Sequence, residues 1–364
     1  MSGMENNETI NTMTHYPLLT VEEMAYAHTM PKGQAKFKTC TDDFIVRETL
    51  SFEPEGEGTH AYLYIEKTNT NTEWLARQLA RFAGLEAKEI GYAGLKDRNA
   101  VTSQWFSINL ELAEQVNWDD FHLDGVKILK KTHHRRKLKR GVIKYNSFEI
   151  VLRDIEHSSV VDLTQAVERI QRSGVPNYFA QQRFGYDYNN LTRAAKWFSG
   201  AIKIKKRADK SIILSAARSM IFNQMLSQRI HKQGWEGIMD GDIMMLSGSH
   251  SIFPITEISP DIQERFQQGD IHPTAALWGR GGLTSKNDLL QLEQSVADEL
   301  SAWCAGLEKH ALKQERRSAR LFPEDLVIRF SDKDPMSHVV LSFSLPTGSY
   351  ATSVLREIIQ FNTF

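Results

Sequence analysis

Cysteine is scarce: the 364 residues hold two, Cys40 and Cys304, far apart in the chain. That excludes a disulfide scaffold and any zinc site built on paired cysteines, and it fits a reducing cytoplasm. Long apolar runs are missing too. None approaches the ~20 residues that a membrane-spanning helix requires, and the polar first sixteen residues lack the apolar core of a signal peptide. Residues 1–15 are expected to form a flexible leader. Neither sign of charge dominates, since 44 Lys and Arg stand against 45 Asp and Glu. A chain that is basic all over is therefore excluded, whereas a local basic face is not. No internal repeat or low-complexity tract is present.

Several familiar catalytic signatures are absent as well. The segment from Gly91 to Lys96 resembles a phosphate loop, but its glycine spacing fails and no Ser or Thr follows the Lys. There is no nucleophile elbow, no pair of histidines four apart flanking a Glu, and no cofactor-binding fingerprint. His133 and His134 are adjacent, a poor arrangement for a shared metal ion. The paired cysteines of a zinc deaminase are lacking. What remains is one carboxylate in a glycine-rich stretch, scattered aromatics and amides, and local basic patches. That combination suits base chemistry on RNA without a cofactor or metal.

The carboxylate is Asp97, in Gly91-Tyr92-Ala93-Gly94-Leu95-Lys96-Asp97-Arg98-Asn99-Ala100. Gly91 and Gly94 would let the backbone bend or approach a ligand closely. Lys96 and Arg98 would favour the ionised form by opposite charge, although adjacent strand side chains diverge and both cannot be assumed to face it. An ionised carboxylate on a turn between strands is a candidate nucleophile. On these residues alone the reading as an ordinary turn residue, which needs no function, is the favoured one.

From Lys127 to Lys144 there are nine Lys or Arg residues and no acid. Within this run, Lys130, Lys131, Arg135, Arg136, Lys137, Lys139 and Arg140 read as a loop or strand end laid on a polyanion; a solvated charged loop is the alternative. A second cluster comprises Lys203, Lys205, Lys206, Arg207 and Lys210.

Periodicity places strands at residues 41–50, 61–67 and 145–152, the last with Asn146, Phe148, Ile150 and Leu152 in register. Thr70 and Glu73 form a capping-box pattern that opens a helix closed by Gly84. Further helices are expected at 160–170, at 215–231 as an amphipathic helix, and at 287–311 as one long helix that Arg316, Arg317 and Arg320 close on a basic note. Residues 235–282 suggest hairpins and loops. Strands at 325–330 and 339–343 and a helix at 351–359 end the chain much as it begins. This suggests an α+β domain built from both ends, with a second domain inserted between about Gln171 and Pro323.

Four ordered motifs then resemble the TruD family of tRNA pseudouridine synthases. They are residues 93–104 around Asp97, Asn146-Ser147-Phe148, residues 174–185 (Gly174-Val175-Pro176-Asn177-Tyr178-Phe179-Ala180-Gln181-Gln182-Arg183-Phe184-Gly185), and residues 345–357 beginning Leu345-Pro346-Thr347-Gly348-Ser349-Tyr350. Residues 43–48 and 215–223 add support. The resemblance implies an α+β fold: a pseudouridine-synthase catalytic domain with a mixed, mainly antiparallel sheet from residues 16–170 and 324–364, and an inserted α+β TruD-specific domain at 171–323. It implies isomerisation of uridine to pseudouridine, at position 13 of tRNA in the bacterial members, with no cofactor. Asp97 matches the catalytic aspartate, and Asn146 and Phe148 match the Asn-x-Phe motif of the active site. Tyr350 stands where the family usually has a Phe in the pocket. Two other departures are Asn99 for a common Arg and Ala180 for a common Gly. Lys96 and Arg183 are further candidates for contact with the substrate, and the basic clusters for contact with the RNA backbone. The expected partner is tRNA; the expected enzyme is a cytoplasmic monomer with no obligate protein partner.

Overall fold

The structure is a computed structural model that describes residues 19–113 and 116–363; the expected leader at 1–15 lies outside them. The chain divides into two compact units. One comprises Pro31–Gln171, Pro323–Ala351 and the chain from Ile358 onward, and the other takes the described residues up to Met30, Arg172–Phe322 and Thr352–Glu357.

The first unit is organised on a ten-stranded sheet. Its early strands are β1 (Gln34–Phe37), β2 (Phe44–Leu50), β3 (His60–Thr68), β4 (Gly91–Tyr92), β5 (Val101–Asn109), β6 (Val126–His134) and β7 (Ile143–Glu156). Helix α1 (Thr72–Phe82) joins β3 to β4, and α2 (Val160–Ser173) follows β7. The chain then passes through the second unit, with β8 (Val175–Pro176), α3 (Asn189–Phe198), α4 (Arg207–Gln233), β9 (Ile243–Leu246), β10 (Ile252–Pro254), α5 (Pro260–Gln267), β11 (Ile271–Leu277), α6 (Asn287–Glu299), α7 (Ser301–Lys309), β12 (Glu315–Ser318) and β13 (Arg320–Leu321). It closes with β14 (Glu324–Phe330), β15 (His338–Pro346), α8 (Ala351–Leu355) and β16 (Gln360–Thr363).

The large sheet runs β14-β15-β7-β2-β5-β3-β6, with β1 and β16 attached beside β7 and β4 beside β5. Among the described strands of this sheet, only β2 with β5 and β1 with β16 pair in parallel. Residues paired across antiparallel strands share a face, so register decides which side chains meet. Lys67 lies opposite Thr102, Val46 opposite Phe148, and Phe148 opposite Phe343. Thr102 is also in register with Val46. One row on one face thus runs from Lys67 to Phe343. Farther along that face, Leu63, Ile65, Phe106 and Ile108 are fully buried in a cluster with Leu75 and Leu79 of α1.

The cap of α1 differs from the expected one. Asn71 is the N-cap, its Oδ1 accepting from the backbone N–H groups of Glu73 at 2.9 Å and Trp74 at 3.1 Å. The Thr70 hydroxyl instead donates to the Thr68 carbonyl at 2.8 Å. Asn69 adopts a left-handed backbone, φ 50°, which turns the chain so that the helix starts one residue later. Gly84 follows the helix with φ 65°, where a glycine is favoured.

In the second unit, β9, β10, β11 and β12 form one sheet and β8 and β13 another. Helix α4 begins at Arg207, well before the expected 215, and is buried on every side from Ser219 to Ser227, so it is a central helix rather than an amphipathic one. The expected long helix at 287–311 is two helices, broken where Leu300 takes φ −104° and ψ 27°. Helix α5 lies where only hairpins and loops were expected; Ser259 caps it and Pro260 occupies its first turn. Arg316 does not close a helix. It sits in β12 and makes a buried ion pair with Glu293, Nη2 to Oε1 2.6 Å.

Two segments that the expected boundaries gave to the sheet belong instead to this unit. Arg356 donates to the Met24 carbonyl at 2.7 Å, Tyr178 Oη to the Ala25 carbonyl at 3.0 Å, and the Ala27 N–H to Glu357 Oε2 at 3.0 Å. These bonds bind the chain before Met30 and residues 352–357 into one buried cluster. The expected final helix is correspondingly short, ending at Leu355 before β16 pairs with β1.

Candidate active site

Asp97 lies on the loop joining β4 to β5. This loop is held from beneath by buried polar side chains of the sheet and of the first residue of α1. Gln104 Nε2 donates to the Gly94 carbonyl at 3.1 Å, and Thr72 Oγ1 donates to Gln104 Oε1 at 2.9 Å while accepting the Lys96 N–H at 3.1 Å. Lys67 Nζ reaches the Asp97 carbonyl at 3.2 Å and the Thr70 carbonyl at 2.6 Å. Gly91 is required by packing: a Cβ there would lie 2.3 Å from Ser107 Oγ and 2.7 Å from the Leu138 carbonyl. The close approach is therefore to the Ser107 hydroxyl of β5 and to the main chain of the loop after β6.

The Asp97 carboxylate is 42% exposed and pairs with Lys38, Nζ to Oδ2 2.7 Å. Lys38 follows β1 in a left-handed conformation, φ 59°, and its ammonium stands 3.9 Å from the centroid of the Phe44 ring. Neither sequence neighbour of Asp97 takes this part. Lys96 turns inward to Glu48, Nζ to Oε2 2.8 Å, with 7% and 0% of the two side chains exposed. Arg98 Nε donates to the Asn69 carbonyl at 3.4 Å. Lys38 lies outside every motif read from the sequence, 59 positions from its partner. Only the fold brings the two together.

Lys96 also fixes Asn146, donating from Nζ to Oδ1 at 2.9 Å. An ammonium can only donate, so the amide oxygen must face it and the NH₂ group is the end turned elsewhere. Phe148, two residues along β7 on the same face, is half-buried between Phe44 and Phe343; ring centroids are 6.0 Å and 5.4 Å away. Two groups of contacts therefore meet at the Lys96-Asp97 step of the loop: Asp97 with Lys38, Phe44 and Phe148, and Lys96 with Glu48 and Asn146. Tyr350 belongs to the same unit, after β15, and is 9% exposed. Arg183 lies in the second unit, where Nη1 donates to Ser215 Oγ at 3.3 Å and the guanidinium stands 5.5 Å from the Phe179 centroid.

The first basic run is ordered strand and loop. Its strand, β6, is the edge of the large sheet, where charge also discourages pairing with another chain. Lys131 pairs with Asp119, Arg135 with Glu55 and Glu57, and Lys137 donates to the Lys88 carbonyl. Lys130, Arg136, Lys139 and Arg140 are exposed, as are Lys205 and Lys206 before α4.

Comparison with known proteins decides the family. The model of the family described as tRNA pseudouridine synthase D (TruD) matches residues 20–196 and 188–358. The chain belongs to the TruD family. It is 40% identical over 342 residues to tRNA pseudouridine synthase D of Hydrogenovibrio crunogenus, covering 94% of this chain and 97% of that one. To the protein of the same name in Nitrosococcus oceani it is 41% identical over 338 residues, covering 93% and 94%. The crystal structure of a putative TruD from Methanosarcina mazei superposes with a TM-score of 0.72 at 22% identity, covering 92% of this chain and 95% of that chain. That likeness supports the TruD fold, α+β with a large, mainly antiparallel sheet.

Proposed function

We propose that this TruD-family enzyme isomerises uridine to pseudouridine at position 13 of tRNA, with Asp97 as nucleophile. The observation that carries the reading is the Asp97 carboxylate itself: solvent-accessible, paired with a Lys38 that rests on the Phe44 ring, and held on a buttressed loop whose Lys96 bonds Asn146. The reaction breaks the bond between ribose C1′ and uracil N1, turns the base, forms the bond from C1′ to C5, and releases the C5 proton while N1 takes one up. No electrons or external groups are transferred, so the chain needs a nucleophile, a base-holding pocket and a grip on RNA. Attack by Asp97 at C1′ or at uracil C6 would each serve.

The target must leave its stack, at a cost of a few kcal/mol. Phe148 receives the base by stacking, worth about 1–3 kcal/mol, and Tyr350 closes the pocket. The Asn146 NH₂ donates to a uracil carbonyl. At the 4-position cytosine carries an amino group, itself a donor, so this contact favours uracil. Lys96 acts on the base through Asn146, since its ammonium is committed to Glu48 and the amide oxygen. Arg183, Lys205 and Lys206 contact RNA from the second unit, which we read as the inserted TruD domain; the sheet unit is the catalytic domain. The enzyme works as a cytoplasmic monomer. No helix among the described residues is long and apolar enough to cross a membrane.

Purified protein acting on a tRNA transcript tests this reading: pseudouridine should form at one position, and absence of product would refute it. In the same assay Phe148→Ala is expected to lower turnover by about 10-fold or more, following the loss of stacking, with tRNA affinity little changed; undiminished turnover removes the stacking role. Reversing Lys139 and Arg140 to Glu should instead weaken binding of all tRNAs alike. For every phosphate that the protein no longer neutralises, the slope of log affinity against log salt should become shallower by about 0.7–0.9. An unchanged slope places the RNA elsewhere.

A further inference from the structure

Lys67 stands where the alternation of β3 calls for an apolar residue. Leu63 and Ile65 precede it on the same face, all three side chains are fully buried, and Thr102 opposite is buried too. A buried ammonium is costly unless its donors are used, and here they are directed at the backbone carbonyls of Thr70 and Asp97. The turn at Thr70 is also held by the Thr70 hydroxyl and the Asn71 cap, and the start of the catalytic loop by Thr72 and Gln104. The bond that Lys67 alone supplies among these is the one to the Asp97 carbonyl.

We propose that Lys67 is a positioning residue for the nucleophile: its buried ammonium, bonded to the Asp97 carbonyl, fixes the backbone from which the carboxylate is aimed. The inference rests on the reading of Asp97 as nucleophile. Lys38 holds the carboxylate from the solvent side and Lys67 holds the main chain from the core side, so the residue is clamped at both ends. A misplacement of about 1 Å at a reacting group can cost about 100-fold in rate.

Burial also lowers the affinity of Lys67 for its proton, to a pKa of about 8; the Asp97 carboxylate opposes this shift and the Lys96 ammonium adds to it. The depressed pKa means that the folded protein carries the cost of the buried charge below about pH 8. That cost is relieved as pH rises toward the ordinary value of 10.5. Above about pH 8 the ammonium is lost and its grip on the carbonyl weakens, so turnover should fall on an alkaline limb.

The test uses the full-length enzyme with a tRNA transcript under single-turnover conditions. Lys67→Met, of similar length but without a donor, is expected to lose about 10–100-fold in rate, to bind tRNA as the wild type does, and to lack the alkaline limb. Lys67→Gln keeps an N–H donor but cannot titrate; it should recover part of the rate, again without the limb, and serves if Lys67→Met fails to fold. A wild-type rate in either variant, or a limb near pH 8 that persists in them, overturns the proposal. A role confined to stability would lower the unfolding temperature and leave the limb in place. Asp97→Asn is run beside them. Activity there defeats the nucleophile assignment, whereas an inactive Asp97→Asn with an unaffected Lys67→Met defeats only the positioning role.

Discussion

Asp97→Asn should abolish pseudouridine formation, with a fall in the single-turnover rate of about 10⁴-fold or more, the scale set by removal of other enzymatic nucleophiles. The substitution keeps size and shape but removes the charge that attacks. It should not unfold the loop, because Thr72, Gln104 and Lys67 hold the main chain and one glycine carbonyl rather than the carboxylate. Affinity for tRNA should stay near the wild-type value, since binding depends chiefly on phosphate contacts made elsewhere. The check is release of label from tRNA carrying tritium at uridine C5, with binding measured separately. Turnover within about tenfold of wild type would leave Asp97 without a nucleophilic role.

Lys38→Met should have the second-largest effect, about 10–1000-fold on turnover. The ion pair is partly exposed, with 20% of the Lys38 side chain and 42% of Asp97 accessible. Pairs of that kind contribute about 0–1 kcal/mol to stability, so the unfolding temperature should barely move. The effect on rate arises because the ammonium holds one carboxylate oxygen at 2.7 Å while resting against the Phe44 ring. Without it the carboxylate can rotate among positions of which only some face the base. Lys38→Arg should restore part of the rate through a longer, planar donor. Normal turnover in Lys38→Met, with unchanged stability, would make the pair incidental.

What could be read in the sequence was what local pattern encodes. The strand carrying Asn146 and Phe148 shows its period of two, and the loop carrying Asp97 shows its glycines. The contacts that make the site depend on sheet register. Lys38 is brought to Asp97 by the fold, and nothing beside it in sequence marks it. Lys67 breaks the apolar alternation of β3, a local signal pointing to a special role without naming the partner. Lys96 and Arg98 mislead as neighbours of Asp97, because adjacent side chains diverge. Helix limits moved for equally physical reasons. Asn71 rather than Thr70 caps α1 after the left-handed turn at Asn69, and Leu300 interrupts a continuous apolar period. The segments before Met30 and at 352–357 join the second unit through bonds to backbone carbonyls and to a buried carboxylate, which composition does not reveal.

The measurement that bears most directly on the central claim is a map of pseudouridines in total RNA from cells lacking this protein, complemented with either the wild type or Asp97→Asn. The account predicts that pseudouridine at position 13 of tRNA disappears without the protein, returns with the wild type, and stays absent with Asp97→Asn. A map unchanged by loss of the protein, or restored by Asp97→Asn, would contradict it.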